Sequence, residues 1–227
     1  MTTTLITGAN RGLGLETTRR LIAAGHTVYA GMRDTAAGAE SRALGAIPLA
    51  LDVTDQASVD AAVVSLPELD VLVNNAGVLG RSLHGADDVD AESMQQTLDT
   101  NVVGLVRVTQ ACLPLLRRSA APVIVNVASG VGWPRWLSTP GHDEYPVLGI
   151  PYAASKAAVI ALTVQYAKSL PEFRVNASDP GYTATEFNGY NGHQTVEEGT
   201  DATVMLATAG PDGPTGEFHN RSGRIDY

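Results

Sequence analysis

Thr3-Thr4-Leu5-Ile6-Thr7-Gly8-Ala9-Asn10-Arg11-Gly12-Leu13-Gly14-Leu15-Glu16-Thr17 is the stretch that decides the fold. A β-branched apolar run passes into a glycine-punctuated turn and then into helical periodicity, so it reads as strand, tight loop and helix start. Glycines allow a sharp turn and a close approach of the backbone to a ligand, while the free N–H groups and the dipole of a helix start attract a pyrophosphate. Gly8, Asn10, Arg11, Gly12, Leu13 and Gly14 are therefore candidate cofactor contacts, although the spacing is G-x-x-x-G-x-G and not G-x-G-x-x-G.

The same alternation continues along the chain. Strands are expected near 3–7, 27–32, 46–51, 69–74, 122–128 and 173–178, with a seventh near 216–219, and helices at about 12–24, 36–44, 56–65, 90–118, 151–169 and 196–208. That order predicts an α/β fold with a doubly wound parallel sheet of about seven strands flanked by helices, as one domain over residues 1–227. Two stretches break the rhythm, 133–150 and 182–195. Both follow expected strands, which puts them over the carboxyl edge of the sheet, where open α/β folds bind ligands.

Composition narrows the function. The chain has 227 residues, 15 Lys and Arg against 24 Asp and Glu, and a formal charge of −9. It offers no basic stripe for phosphate neutralisation, which argues against nucleic acid as a partner. With 44% apolar and 17% charged residues it can bury a sizeable core. No run approaches the roughly twenty apolar residues of a membrane span, and the first residues lack the basic and apolar regions of a secretory signal. A cytoplasmic protein is expected, with its single cysteine, Cys112, packed as a small hydrophobe. His26, His84, His142, His193 and His219 lie tens of residues apart with no ligand spacing, so no metal site is expected.

The remaining strand ends carry further signals. Asp52-Val53-Thr54 follows strand three and suits an adenine edge, and Asn74-Asn75-Ala76-Gly77 follows strand four, where small residues let the backbone near a cofactor. Strand five delivers Ser129 to the sheet edge, where its hydroxyl can bond a substrate oxygen; no Gly-x-Ser-x-Gly elbow surrounds it, so a hydrolase nucleophile is not suggested. Tyr152 and Lys156, at i and i+4, share one helix face. A nearby ammonium, helped by an oxidised nicotinamide, stabilises a phenolate and should lower the tyrosine pKa from its usual value near ~10.

Taken in order, the Thr-Gly-x-x-x-Gly-x-Gly loop, Asn-Asn-Ala-Gly, Asn101 in Thr100-Asn101-Val102-Val103-Gly104, Ser129, the Tyr-x-x-x-Lys pair and Asp179-Pro180-Gly181 resemble the short-chain dehydrogenase/reductase family, over nearly the whole chain. The resemblance implies a single-domain Rossmann-type enzyme that moves a hydride between a nicotinamide cofactor and a carbonyl or alcohol. It makes Tyr152 the acid/base and Ser129 the holder of the carbonyl oxygen. Lys156 would bind the nicotinamide ribose and tune Tyr152, and Asn101 would secure a water in the proton relay. Pro180, Gly181 and Thr183 would approach the nicotinamide carboxamide; Asp179 is irregular there, in a place more often held by a small or thiol side chain. Family members often form homodimers or homotetramers through the helices expected at 90–118 and 151–169.

The resemblance is strongest to NADPH-dependent carbonyl reductases, because the Ser129–Tyr152 interval is about ten residues longer than in compact members and the carboxyl end matches that subgroup. Arg33 after strand two and Arg11 in the glycine loop favour the 2′-phosphate of NADP, whereas Asp34 is expected to cap the next helix. The alternatives are an NAD-dependent alcohol or sugar dehydrogenase, with Asp34 on the ribose, and a non-catalytic dinucleotide sensor. Trp133, Trp136, Tyr145, Tyr182, Phe187 and Tyr190, from the two irregular stretches, suggest an apolar or aromatic substrate pocket, with packing of several of them against each other as the equal alternative.

Overall fold

The computed structural model describes residues 1–80 and 86–226, so His84 lies outside the described residues. Eight strands form one sheet: β1 (Thr3–Thr7), β2 (Thr27–Met32), β3 (Ile47–Ala50), β4 (Val71–Asn74), β5 (Val123–Val127), β6 (Arg174–Ser178), β7 (Phe218–Asn220) and β8 (Gly223–Ile225). Their order is β3-β2-β1-β4-β5-β6-β7-β8, parallel from β3 to β7. β8 turns back antiparallel on β7, a hairpin the sequence reading did not anticipate because three residues are too few for a period. The strand order reverses between β1 and β4, which opens a crevice at their carboxyl ends.

The helices are α1 (Gly12–Ala23), α2 (Ala39–Ala43), α3 (Gln56–Val64), α4 (Ala91–Leu98), α5 (Gly104–Leu116), α6 (Pro134–Leu137), α7 (Ile150–Ser169), α8 (Val196–Gly199) and α9 (Asp201–Ala207). Alternation along the strands sends Leu5, Leu72 and Ile124 to one face, against Val59, Val108, Cys112 and Leu116 of α3 and α5. It sends Ile6, Val73 and Val125 to the other, against Leu21 of α1 and Leu206 of α9. Asp55 and Asp90 cap α3 and α4 through their carboxylates. Cys112 is buried and its thiol is pushed up to about 12 by that burial, so it is an inert core residue.

The helix expected over 90–118 is interrupted. A π-turn over Asp99–Val103 separates α4 from α5, and Asn101 sits within it. The helix expected over 196–208 also breaks, between α8 and α9 at Thr200. Among the described residues no helix is long and apolar enough to cross a membrane.

Candidate active site

One cavity of about 840 Å³ runs along the carboxyl edge of the sheet from the glycine loop to the irregular stretches. It lies within the range of cofactor sites, about 300–1,000 Å³. At its first end the glycine loop has Gly8 and Gly12 at positive φ, +67° and +52°. Gly14 is held differently: a Cβ there would collide with Gly8 O and the Asn75 carboxamide. Asn75 explains the fit, since its Nδ2 donates to Thr7 O at 2.9 Å and to Gly8 O at 3.1 Å. Thr7 closes the arrangement, its hydroxyl accepting the Asn75 and Ala76 N–H groups at 3.0 Å each. The sequence reading had not singled out Thr7, although its place at the end of β1 before the first glycine is the available signal.

Asn10, Arg11, Gly12, Leu13, Arg33, Asp52, Val53, Ala76 and Gly77 all line the same end. Burial pushes the Asp52 carboxyl up, but the Thr54 N–H and hydroxyl on Oδ1, with Arg33 and Arg107 nearby, outweigh it and hold the group below its usual value. Arg33 is exposed at the cavity edge. Arg11 is differently engaged, forming an ion pair with Glu186 of the 182–195 stretch at 2.8 Å with both side chains 60% exposed. Asp34 follows β2 and accepts the Ala36 N–H, so it is a cap, as expected.

Ser129, Tyr152, Lys156, Asp179, Pro180, Gly181 and Thr183 line the middle of the cavity. α7 brings Tyr152 and Lys156 to one face, with the Lys156 ammonium 5.6 Å from the tyrosine ring centre. Lys156 Nζ also donates to Val127 O at 2.7 Å, which ties α7 to the end of β5. The protein alone corrects the expected tuning of the tyrosine. Burial pushes the Tyr152 phenol above its ordinary value and Asp179 adds to that, against a hydrogen bond from Ser129 that lowers it. Burial likewise pushes Lys156 down to about 8, partly offset by Asp179. Desolvation opposes both charged forms, and a cation weakened by the same burial does not reverse it.

Asn101 acts as a staple. Its Oδ1 accepts the Val78 N–H at 2.8 Å, and its Nδ2 donates to Val78 O at 2.9 Å and to Ser155 Oγ at 3.0 Å, joining the loop after β4 to the π-turn and α7. A cavity of about 10 Å³, lined in part by Asn74, Thr100, Asn101 and Lys156, lies behind it.

The far end of the cavity is walled by Val131, Pro146, Val147, Leu148, Tyr182 and Phe187, with Asp143, Glu144 and His193. Phe187 stands 5.9 Å from the Tyr152 ring, centre to centre. Four of the six expected aromatics are elsewhere: Trp133, Trp136, Tyr145 and Tyr190 do not line the cavity. Trp133 and Trp136 pack instead on the buried cluster of Ala128, Val159 and Ile160, and Tyr190 is 69% exposed.

Residues 2–195 match the profile of the short chain dehydrogenase family. The chain is 31% identical to (−)-isopiperitenone reductase of Mentha piperita, over 96% of this chain and 95% of that protein. It is 28% identical to salutaridine reductase of Papaver bracteatum, over 96% and 94%. Among solved structures, the NADPH-bound carbonyl reductase from chicken fatty liver superposes with a TM-score of 0.86 at 27% identity, covering 99% of this chain and 98% of that one.

Proposed function

The chain belongs to the short-chain dehydrogenase family, and from that membership we propose that it is an NADPH-dependent carbonyl reductase converting a ketone or aldehyde to an alcohol, with Tyr152 as general acid. One observation carries the reading: Ser129, Tyr152 and Lys156 converge on a cavity whose other end is a glycine loop at a helix start. The loop and its neighbours fit a dinucleotide, with Gly8, Asn10, Gly12, Leu13 and Gly14 beside its pyrophosphate and Asp52 and Val53 beside its adenine. Asn75, Ala76 and Gly77 would border its ribose. Pro180, Gly181 and Thr183 would meet the nicotinamide, whose reduced form supplies the hydride.

The chain's own groups handle the proton. Ser129 donates a hydrogen bond to the carbonyl oxygen, and Tyr152 transfers its phenolic proton to that oxygen as the alcohol forms. A phenol held above its ordinary value stays protonated throughout the neutral range, which suits the reductive direction. Lys156 sets the field at Tyr152, and the small cavity beside Asn101 and Lys156 has room on the order of one water to return the proton. Arg33 at the cavity edge and the NADPH-bound carbonyl reductase among similar structures support NADPH over NADH. Action in the cytoplasm agrees with the lone cysteine being buried and unpaired.

The test is Tyr152→Phe, which keeps the ring and removes the proton. General acid catalysis is worth ~10²–10⁴-fold, so kcat for ketone reduction should fall by that order while the NADPH dissociation constant changes little. A folded variant keeping more than about a tenth of wild-type turnover would remove Tyr152 from the reaction, since that loss is below the general-acid range.

A further inference from the structure

Asp179 is only 4% exposed, yet it is a carboxylic acid on the wall of the reaction cavity. A carboxylate at such depth is costly unless its oxygens are engaged. Its Oδ1 accepts two backbone N–H groups, from Gly130 and from Gly181, at 3.0 Å each. Gly130 directly follows Ser129, so the first bond fixes the peptide that carries the serine. Gly181, at φ +64°, ends the Pro180–Gly181 turn. Asp179 is fixed in turn, since its own N–H donates to His219 O of β7 at 2.7 Å. One oxygen atom thus joins the loops leaving β5 and β6.

The segment that carries Ser129 is also tied to β6 by the Ala128 N–H, which donates to Ser178 O at 2.8 Å, and Gly132 packs closely on the backbone of Lys156 and Ala157 in α7. Trp136 and Glu144 of the 133–150 stretch pack closely on this segment from outside: a Cβ at Gly130 would meet Glu144 Oε1 and the Trp136 ring at 2.5 and 2.9 Å. A small side chain at position 179 would leave both N–H groups without this acceptor and remove the link between the Ser129–Gly130 peptide and the Pro180–Gly181 turn.

We propose that Asp179 is a positioning residue for the reduction: through the Gly130 and Gly181 N–H groups it holds the Ser129 hydroxyl and the Pro180–Gly181 turn as one unit against Tyr152. This rests on the reading of Tyr152 and Ser129 given above. Misplacing a reacting group by about 1 Å costs on the order of 10²-fold in rate. The carboxylate also acts through its charge. The ionisable groups around it are Glu144 from the 133–150 stretch, Tyr152 and Lys156 from α7, and His219, hydrogen-bonded to Glu217, from β7. Burial lifts Asp179 to about 6, Glu144 adds to this, and the two N–H groups and Lys156 oppose it. Above that pH its negative charge keeps both Tyr152 and Lys156 protonated to higher pH.

Asp179→Ala and Asp179→Asn separate the two effects, because asparagine keeps an acceptor oxygen and drops the charge. Asp179→Ala should lower kcat by about 10- to 100-fold, and because it also frees the Pro180–Gly181 turn proposed to meet the nicotinamide, it should weaken NADPH binding by a smaller factor. Asp179→Asn should keep kcat near pH 7 within about threefold, a change below 1 kcal/mol, and move the alkaline limb of its kcat/KM profile to lower pH. Wild-type kcat in Asp179→Ala, equal losses in both variants, or an unmoved alkaline limb in Asp179→Asn would each overturn the proposal. If Asp179→Ala does not fold, the turnover and pH profile of Asp179→Asn decide alone. Tyr152→Phe measured alongside keeps the outcomes distinct: its retaining activity sinks the general-acid reading, whereas its loss beside an indifferent Asp179→Ala sinks only the positioning role.

Discussion

Two arginines stand at the glycine-loop end of the cavity, and their surroundings give them different weights. Arg33 is exposed beside Asp52, whereas Arg11 is bridged to Glu186. A charge-assisted hydrogen bond is worth about 1.5–3 kcal/mol, so Arg33→Ala should raise the KM for NADPH by roughly 10- to 150-fold. NADH kinetics should hardly change. Arg11 must first give up a surface partner, and such exposed pairs are worth about 0–1 kcal/mol; Arg11→Ala should then have an effect up to about fivefold smaller than that of Arg33→Ala. Steady-state kinetics with both cofactors checks this, and equal effects of the two substitutions would place Arg11 on the 2′-phosphate as firmly as Arg33. Asp34 was legible at this scale, because the end of the apolar run in β2 puts it one residue beyond Arg33, where it caps a turn.

Among the elements, the β1–loop–α1 unit depends on Gly14 more than on the glycines at positive φ. A methyl group there runs into Gly8 O and the Asn75 carboxamide, both of which are themselves held by hydrogen bonds. Overpacking of this kind costs about 1–3 kcal/mol. Gly14→Ala should therefore lower the melting temperature by about 2–12 °C at the ~2–4 °C per kcal/mol expected for a chain of this size, and it should weaken NADPH binding. Gly210→Ala is the control, since nothing lies within 4 Å of its added methyl. Calorimetry that finds the two variants equally stable would show that the loop can relax around a side chain. The π-turn at Asp99–Val103 was not legible: a helix with one extra residue per turn keeps nearly the same apolar period, and only the contacts of Asn101 with Val78 and Ser155 explain it.

Over the whole molecule, the two irregular stretches close the cavity, but only part of each faces it. Phe187 lies on the wall near Tyr152, while Tyr190, three residues on, is at positive φ and turned to solvent. Phe187→Ala should change the order of kcat/KM among bulky and small ketones, because removing an apolar wall alters how well each fills the site. Tyr190→Ala should leave the order as it is. A panel of ketones assayed with both variants tests the assignment, and a reordering by Tyr190→Ala alone would put the wall on the other side of the loop.

The sequence by itself determined the alternation of strands and helices and the glycine loop, and it singled out Ser129, Tyr152, Lys156 and Asn101 as candidates. These are local signals: period, turn chemistry and spacing are written in neighbouring residues. Tertiary structure alone decided what depends on residues far apart in the chain. It joined Asp179 to Gly130 across 49 positions and Arg11 to Glu186. It packed Trp133 and Trp136 against a buried cluster beside the site, and burial pushes the Tyr152 phenol up, where an ammonium helped by an oxidised nicotinamide was expected to lower it. Burial is the common reason, for it is set by what folds over a residue and not by the residue's neighbours in sequence.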